Sequence, residues 1–88
     1  MKPIEIIPLA RRKMVRRGIN EDLVKHALLH PEQIVEGYGG RLVAHRRLKL
    51  GKETQLLRVV YEEKEAHFLV ITTYLTSQIN RYWKKGKK

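Results

Sequence analysis

The chain has 88 residues, no cysteine and a formal net charge of +10, with 19 Lys and Arg against 9 Asp and Glu. That length makes one domain near the lower end of what a single apolar core supports. The lack of cysteine excludes disulfides, thiolate-zinc sites and a cysteine nucleophile. No apolar stretch approaches the ~20 residues that span a bilayer, and the apolar part of the opening MKPIEIIPLARRKMVRR is too short for a secretory signal, so a cytoplasmic protein without membrane contact is expected.

In chain order, Ile4, Ile6 and Ile7 predict a short edge strand closed by Pro8. A helix is predicted over Leu9–Arg17, with Leu9, Ala10 and Met14 at core spacing and Arg11, Arg12, Lys13 and Arg16 facing out. Pro8 suits the first helical turn and Gly18 the left-handed residue after the last. Asn20 then caps a second helix, with Glu21 and Asp22 near the positive end of its dipole, an apolar stripe of Leu23, Val24, Ala27 and Leu28, and Pro31 at its end. From Gln33 the period changes to two. Gln33–Gly37 reads as a short strand, Gly37-Tyr-Gly-Gly40 as a turn, and Leu42–Leu50 as a strand closed by a hairpin at Gly51-Lys-Glu. Gln55–Glu62 and His67–Leu75 follow as strong strands joined through the charged Glu62–Glu65 turn, and short turns favour antiparallel neighbours. Ser77 to Trp83 predicts a short turn or helix. The expected architecture is α+β: two N-terminal helices packed on an antiparallel sheet of about four strands. It forms a single domain over residues 1–83, with a disordered basic tail over 84–88.

The charge is unevenly spread. Arg11, Arg12, Lys13, Arg16 and Arg17 are five cations without an acid, and Arg81, Lys84, Lys85, Lys87 and Lys88 are five more. Two basic segments make an oriented field that favours a polyanion, with strongly salt-dependent binding; a basic solubilising surface is the simpler alternative. The first helix, Arg46 and the tail lysines Lys84 and Lys85 are the expected RNA-positioning cations, contacts that carry no sequence information. No cofactor is implied, and no metal: His26, His30, His45 and His67 are scattered, and although His26 and His30 are spaced i, i+4, no carboxylate pair accompanies them. The glycine-rich Gly37–Gly40 opens a strand rather than a helix, so it is no phosphate loop, and Ser77 is the only serine.

RNA cleavage asks for less. The substrate's own 2′-hydroxyl attacks the adjacent phosphate, so a protein need only align it, stabilise the added charge and assist the proton transfers. Arg58, between Leu57 and Val59 and on the face of Leu56 and Val60, is either a phosphate clamp or a guanidinium snorkelling from the sheet. His45 and Arg46 point to opposite faces, so at most one of them joins Arg58. Tyr74 is a candidate phenol or a core-edge aromatic. Tyr82 and Trp83 either stack on bases or cap the core, the cap being favoured.

The segment from Ala10 through Met14 to Gly18-Ile19, then Asn20-Glu-Asp22 and His30-Pro31, resembles the opening of a small bacterial family of unknown function. Leu57-Arg-Val-Val-Tyr61, Val70-Ile-Thr-Thr-Tyr74 and Arg81-Tyr-Trp83 are similar to its ending, so the likeness covers nearly the whole chain. Two positions depart from it: Leu9 stands where that family usually has histidine, and Lys13 where it has arginine. The family is grouped with the RelE/ParE toxin superfamily. That resemblance implies a RelE-like fold, two helices before a strongly twisted antiparallel sheet. It also implies a toxin-like activity, either ribosome-dependent endoribonuclease action on messenger RNA or inhibition of DNA gyrase. Arg58-Val-Val-Tyr61 matches the stretch whose arginine contacts the scissile phosphate in the RNases, and Tyr74, Arg81 and Tyr82 occupy the region that completes the site. The expectation is therefore a metal-independent endoribonuclease with candidate catalytic residues Arg58, Tyr74, His45, Arg81 and Tyr82. Its partners would be RNA, bound on the ribosome in many relatives, and a neutralising antitoxin. A non-catalytic nucleic-acid or protein-binding module of the same fold is the alternative, favoured by Leu9 and by the shortage of a general base.

Overall fold

A computed structural model describes residues 2–84. Strand β1 (Ile4–Ile6) leads through Ile7 into helix α1 (Pro8–Arg17), followed by α2 (Glu21–Leu29), β2 (Gln33–Glu36), a single 3-10 turn at Tyr38–Gly40, β3 (Leu42–Leu50), β4 (Glu53–Glu63), β5 (Phe68–Thr76) and the short helix α3 (Ile79–Tyr82).

The helical hairpin forms where its punctuation predicts. Pro8 opens α1, and Gly18 closes it at φ 70°. The Gly18 N–H donates to the Val15 carbonyl (3.2 Å) and the Ile19 N–H to that of Met14 (2.9 Å), the paired bonds of a Schellman cap. Met14 and Ile19, which such a cap brings together, are both buried in the core. The Asn20 side chain accepts the Leu23 N–H at 2.9 Å, a cap whose removal typically costs about 1 kcal/mol. At the other end of α2, the Arg46 guanidinium donates to the His30 carbonyl at 2.7 Å, a cation where the dipole favours one.

The fold is α+β, and among the described residues it has three helices and one five-stranded mixed sheet in the order β1-β5-β4-β3-β2. This corrects the expectation of two helices on about four antiparallel strands. β1 lies parallel to β5, with Ile4, Glu5 and Ile6 opposite Phe68, Leu69 and Val70. Antiparallel pairing is imposed by short turns, and no short turn joins these two strands. β1 instead runs straight into α1, which packs on β5, so the start of the chain lies beside its last strand. The remaining pairs are antiparallel.

Both long helices cover one face of the sheet. Ala10, Met14, Val24, Ala27 and Leu28 pack there with Ala44, Leu57, Val59, Tyr61 and Val70. A bulge in β5 pairs Val60 with Thr72 but Tyr61 with Val70, leaving Ile71 unpaired and turning both Val70 and Thr73 toward the helices. Thr73 is fully buried. Its carbonyl accepts from Arg17, but its hydroxyl has no partner among the described residues. Thr73→Val keeps the shape and removes an unsatisfied buried hydroxyl. It is expected to raise stability by about 1 kcal/mol, read as a higher urea midpoint at unchanged m.

Candidate functional site

On the opposite face one rung crosses four strands. Gln33 of β2 lies opposite His45 of β3, His45 opposite Arg58 of β4, and Arg58 opposite Tyr74 of β5. Partners across antiparallel strands share a face, so all four side chains project away from the helices. The neighbouring rungs on that face, Val43–Val60–Thr72 and Arg47–Leu56–Thr76, bring Val43 and Leu56, both buried.

The rung is also a hydrogen-bonded chain. Arg58 Nε donates to His45 Nε2 at 3.0 Å, and Arg58 Nη1 donates to the Tyr74 hydroxyl. A guanidinium only donates, so His45 Nε2 carries a lone pair and the proton sits on Nδ1. Nδ1 lies 3.1 Å from Gln33 Oε1, which accepts it. Gln33 Oε1 also accepts the Lys84 backbone N–H (3.0 Å), and Gln33 Nε2 donates to the Lys84 carbonyl (2.5 Å), which fixes the amide's orientation. Burial lowers His45 from its ordinary 6.5 to about 4, and the positive charge of Arg58 adds to the effect. At neutral pH the imidazole is a neutral acceptor with zero exposure.

The C-terminal segment lies over this rung. The Tyr82 ring covers the Arg58 guanidinium (4.1 Å to the centroid) and meets Tyr74 edge-on at 6.3 Å. Trp83 stacks near-parallel on His45 at 6.1 Å, with Arg47 at 4.5 Å from its ring. Arg47 is held by Glu32, whose Oε1 accepts from its backbone N–H (2.9 Å) and Nε (3.1 Å); the same side-chain bond holds the Glu32 carboxyl below its ordinary range. Cation–π contacts of this kind are worth ~0.5–2 kcal/mol each.

Of the five predicted catalytic residues, Arg58, His45, Tyr74 and Tyr82 converge here. Arg81 stands at the border, bonded to Gln78 Oε1 at 3.3 Å and 5.6 Å from the Tyr82 ring. Among the described residues, the predicted RNA-positioning cations do not converge with them, apart from Lys84, whose backbone bonds Gln33. Arg12, Lys13 and Arg16 lie on α1, on the other side of the sheet. Arg11 is paired with Glu21 at 2.7 Å, Arg17 reaches Thr73, and Arg46 caps α2. Lys84 lies against Gln33, and Lys85 and the rest of the predicted tail fall outside the described residues. Sequence reasoning missed Gln33 and Arg47. Among the described residues no group of three potential metal ligands exists; His26 and His30 sit alone, ring centroids 5.1 Å apart. A depression of about 220 Å³ at Glu36, Gly37, Gly40, Arg41 and Leu42 opens at the β2–β3 turn, away from the rung.

No curated protein and no solved structure matches this chain. A family model does: Domain of unknown function (DUF4258) matches residues 10–75, which takes in His45, Arg58 and Tyr74 and stops before α3. The chain belongs to this family of domains of unknown function.

Proposed function

We propose that the domain is a toxin-like, RelE/ParE-related RNA-binding protein that cleaves messenger RNA without a metal, in the cytoplasm and under the control of an antitoxin. The observation that carries this reading is the convergence of Arg58, Tyr74 and His45 in one hydrogen-bonded rung on a sheet face. In the reaction the 2′-oxygen bonds to phosphorus and the phosphorus–5′-oxygen bond breaks, leaving a 2′,3′-cyclic phosphate and a 5′-hydroxyl. Arg58 neutralises the charge that develops on the phosphate. The Tyr74 hydroxyl accepts from Arg58 and is free to donate its own proton to the departing 5′-oxygen; the 2′-proton leaves to water. His45, buried and neutral, is a positioning residue that aims Arg58 rather than a base. A non-catalytic binding module is the second reading, favoured by that same burial, which removes the one histidine near the site from proton transfer.

The test is to map messenger RNA 5′ ends in a cell-free translation reaction with and without the purified protein. New ends inside translated frames support the endoribonuclease. Intact messages at high protein concentration overturn it in favour of the binding module, or of gyrase inhibition if DNA is damaged instead.

A further inference from the structure

The guanidinium of Arg58 is both prepared and covered. Its Nε and Nη1 are engaged by His45 and Tyr74, while no acceptor among the described residues bonds Nη2. A rigidly aimed arginine with N–H groups to spare is suited to a phosphate oxygen. Yet the Tyr82 ring sits on its face at 4.1 Å.

The segment carrying Tyr82 is weakly held. Helix α3 is four residues long, has no side-chain N-cap and contributes no buried residue. Beyond Tyr82 and Trp83, the bonds tying it to the sheet are one at its root, from the Gln78 N–H to Thr76 Oγ1 (3.0 Å), and the two between Gln33 and the Lys84 backbone, all at the exposed surface. A unit with few buried contacts and exposed hydrogen bonds opens locally at a small fraction of the global unfolding free energy.

We propose that residues 78–84 form a displaceable lid over a phosphate-binding site on Arg58, latched by Gln33, and that a nucleic-acid phosphate takes the place of the Tyr82 ring. This rests on the reading of Arg58 as a phosphate group's partner, though not on cleavage. Gln33 thereby has two roles: its Oε1 fixes the tautomer that lets His45 aim Arg58, and its amide holds the lid shut.

The probe is a fluorescein-labelled 2′-O-methyl RNA decamer, which lacks the hydroxyl needed for cleavage, read by anisotropy. A lid closed about nine-tenths of the time lowers apparent affinity about tenfold. Tyr82→Ala should therefore bind the decamer about tenfold more tightly than the unmodified protein, and Tyr82→Ala combined with Arg58→Ala should lose that gain. Weaker or unchanged binding by Tyr82→Ala overturns the lid and makes Tyr82 a platform or a bystander. Should the variants fail to fold, the unmodified protein decides, because Trp83 is the only tryptophan. Saturating decamer should raise acrylamide quenching of Trp83 as the lid lifts, and reduced quenching overturns the proposal. Tighter binding by Tyr82→Ala alongside intact messages would sink the endoribonuclease and keep the lid.

Discussion

Arg58→Lys is expected to lower messenger RNA cleavage by about 10³-fold while binding of an uncleavable RNA falls only a few-fold. Lysine keeps the charge but cannot donate from one rigid fork to His45 and Tyr74 together, so the cation loses its aim. Removing one preorganised donor from a developing oxyanion commonly costs about 10²–10³ in rate. Binding is spread over many cations, each contributing to counterion release without decisive geometry. Arg58→Ala goes further, since it also leaves His45 Nε2 buried without a donor, a cost of about 1–3 kcal/mol in stability. Lysine is therefore the cleaner substitution. The pair is compared by 5′-end mapping beside anisotropy at fixed salt. If Arg58→Lys cuts RNA as well as the unmodified protein, Arg58 does not touch the scissile phosphate.

Acid should loosen the domain before its carboxylates titrate. His45 takes up a proton at about pH 4 in the folded chain but near 6.5 when unfolded. Its folded value is depressed, so the unfolded state binds the extra proton between those limits, and stability falls as pH falls through that window. Between pH 7 and 4.5 the loss comes to about 2–3 kcal/mol. Glu21, Glu32 and Glu62 are held below their ordinary 4.5 by Arg11, Arg47 and Lys64 respectively, and their contributions fade only at lower pH. Urea midpoints at pH 7, 6, 5.5, 5 and 4.5 should decline steadily for the unmodified chain. His45→Gln can still accept from Arg58 and donate to Gln33, and has no proton to gain, so its midpoints should stay level. A parallel decline in both would assign the acid sensitivity elsewhere.

Part of this site was legible beforehand. The two-residue turn at Gly51-Lys52 pairs Leu50 with Glu53, and counting outward from it sets His45 opposite Arg58. Alternation alone left His45 and Arg46 as rivals; the hairpin register decides between them in favour of His45. Tyr74 was harder, because the Val60/Tyr61 bulge shifts the β4–β5 register by one and no local residue pattern announces it. Gln33 was out of reach, since its partners His45 and Lys84 come from other strands and the chain end, joined through irregular segments. The parallel β1–β5 pair was unreadable for the same reason. The helical hairpin is fixed by Pro8, Gly18 and Asn20, local signals acting within a turn, and there expectation and structure agree.

The polar rung also selects among misfolded alternatives. A hairpin of β3 and β4 displaced by two residues keeps every side chain on its proper face, and a purely apolar sheet would tolerate it. Here such a displacement would set Arg58 against Val43, where its half-buried N–H groups find no acceptor, or against Arg47, where two cations meet. The imidazole would meanwhile lose the donor that its burial requires. One histidine and one arginine thus exclude frame-shifted sheets in a small domain that has little apolar surface with which to exclude them.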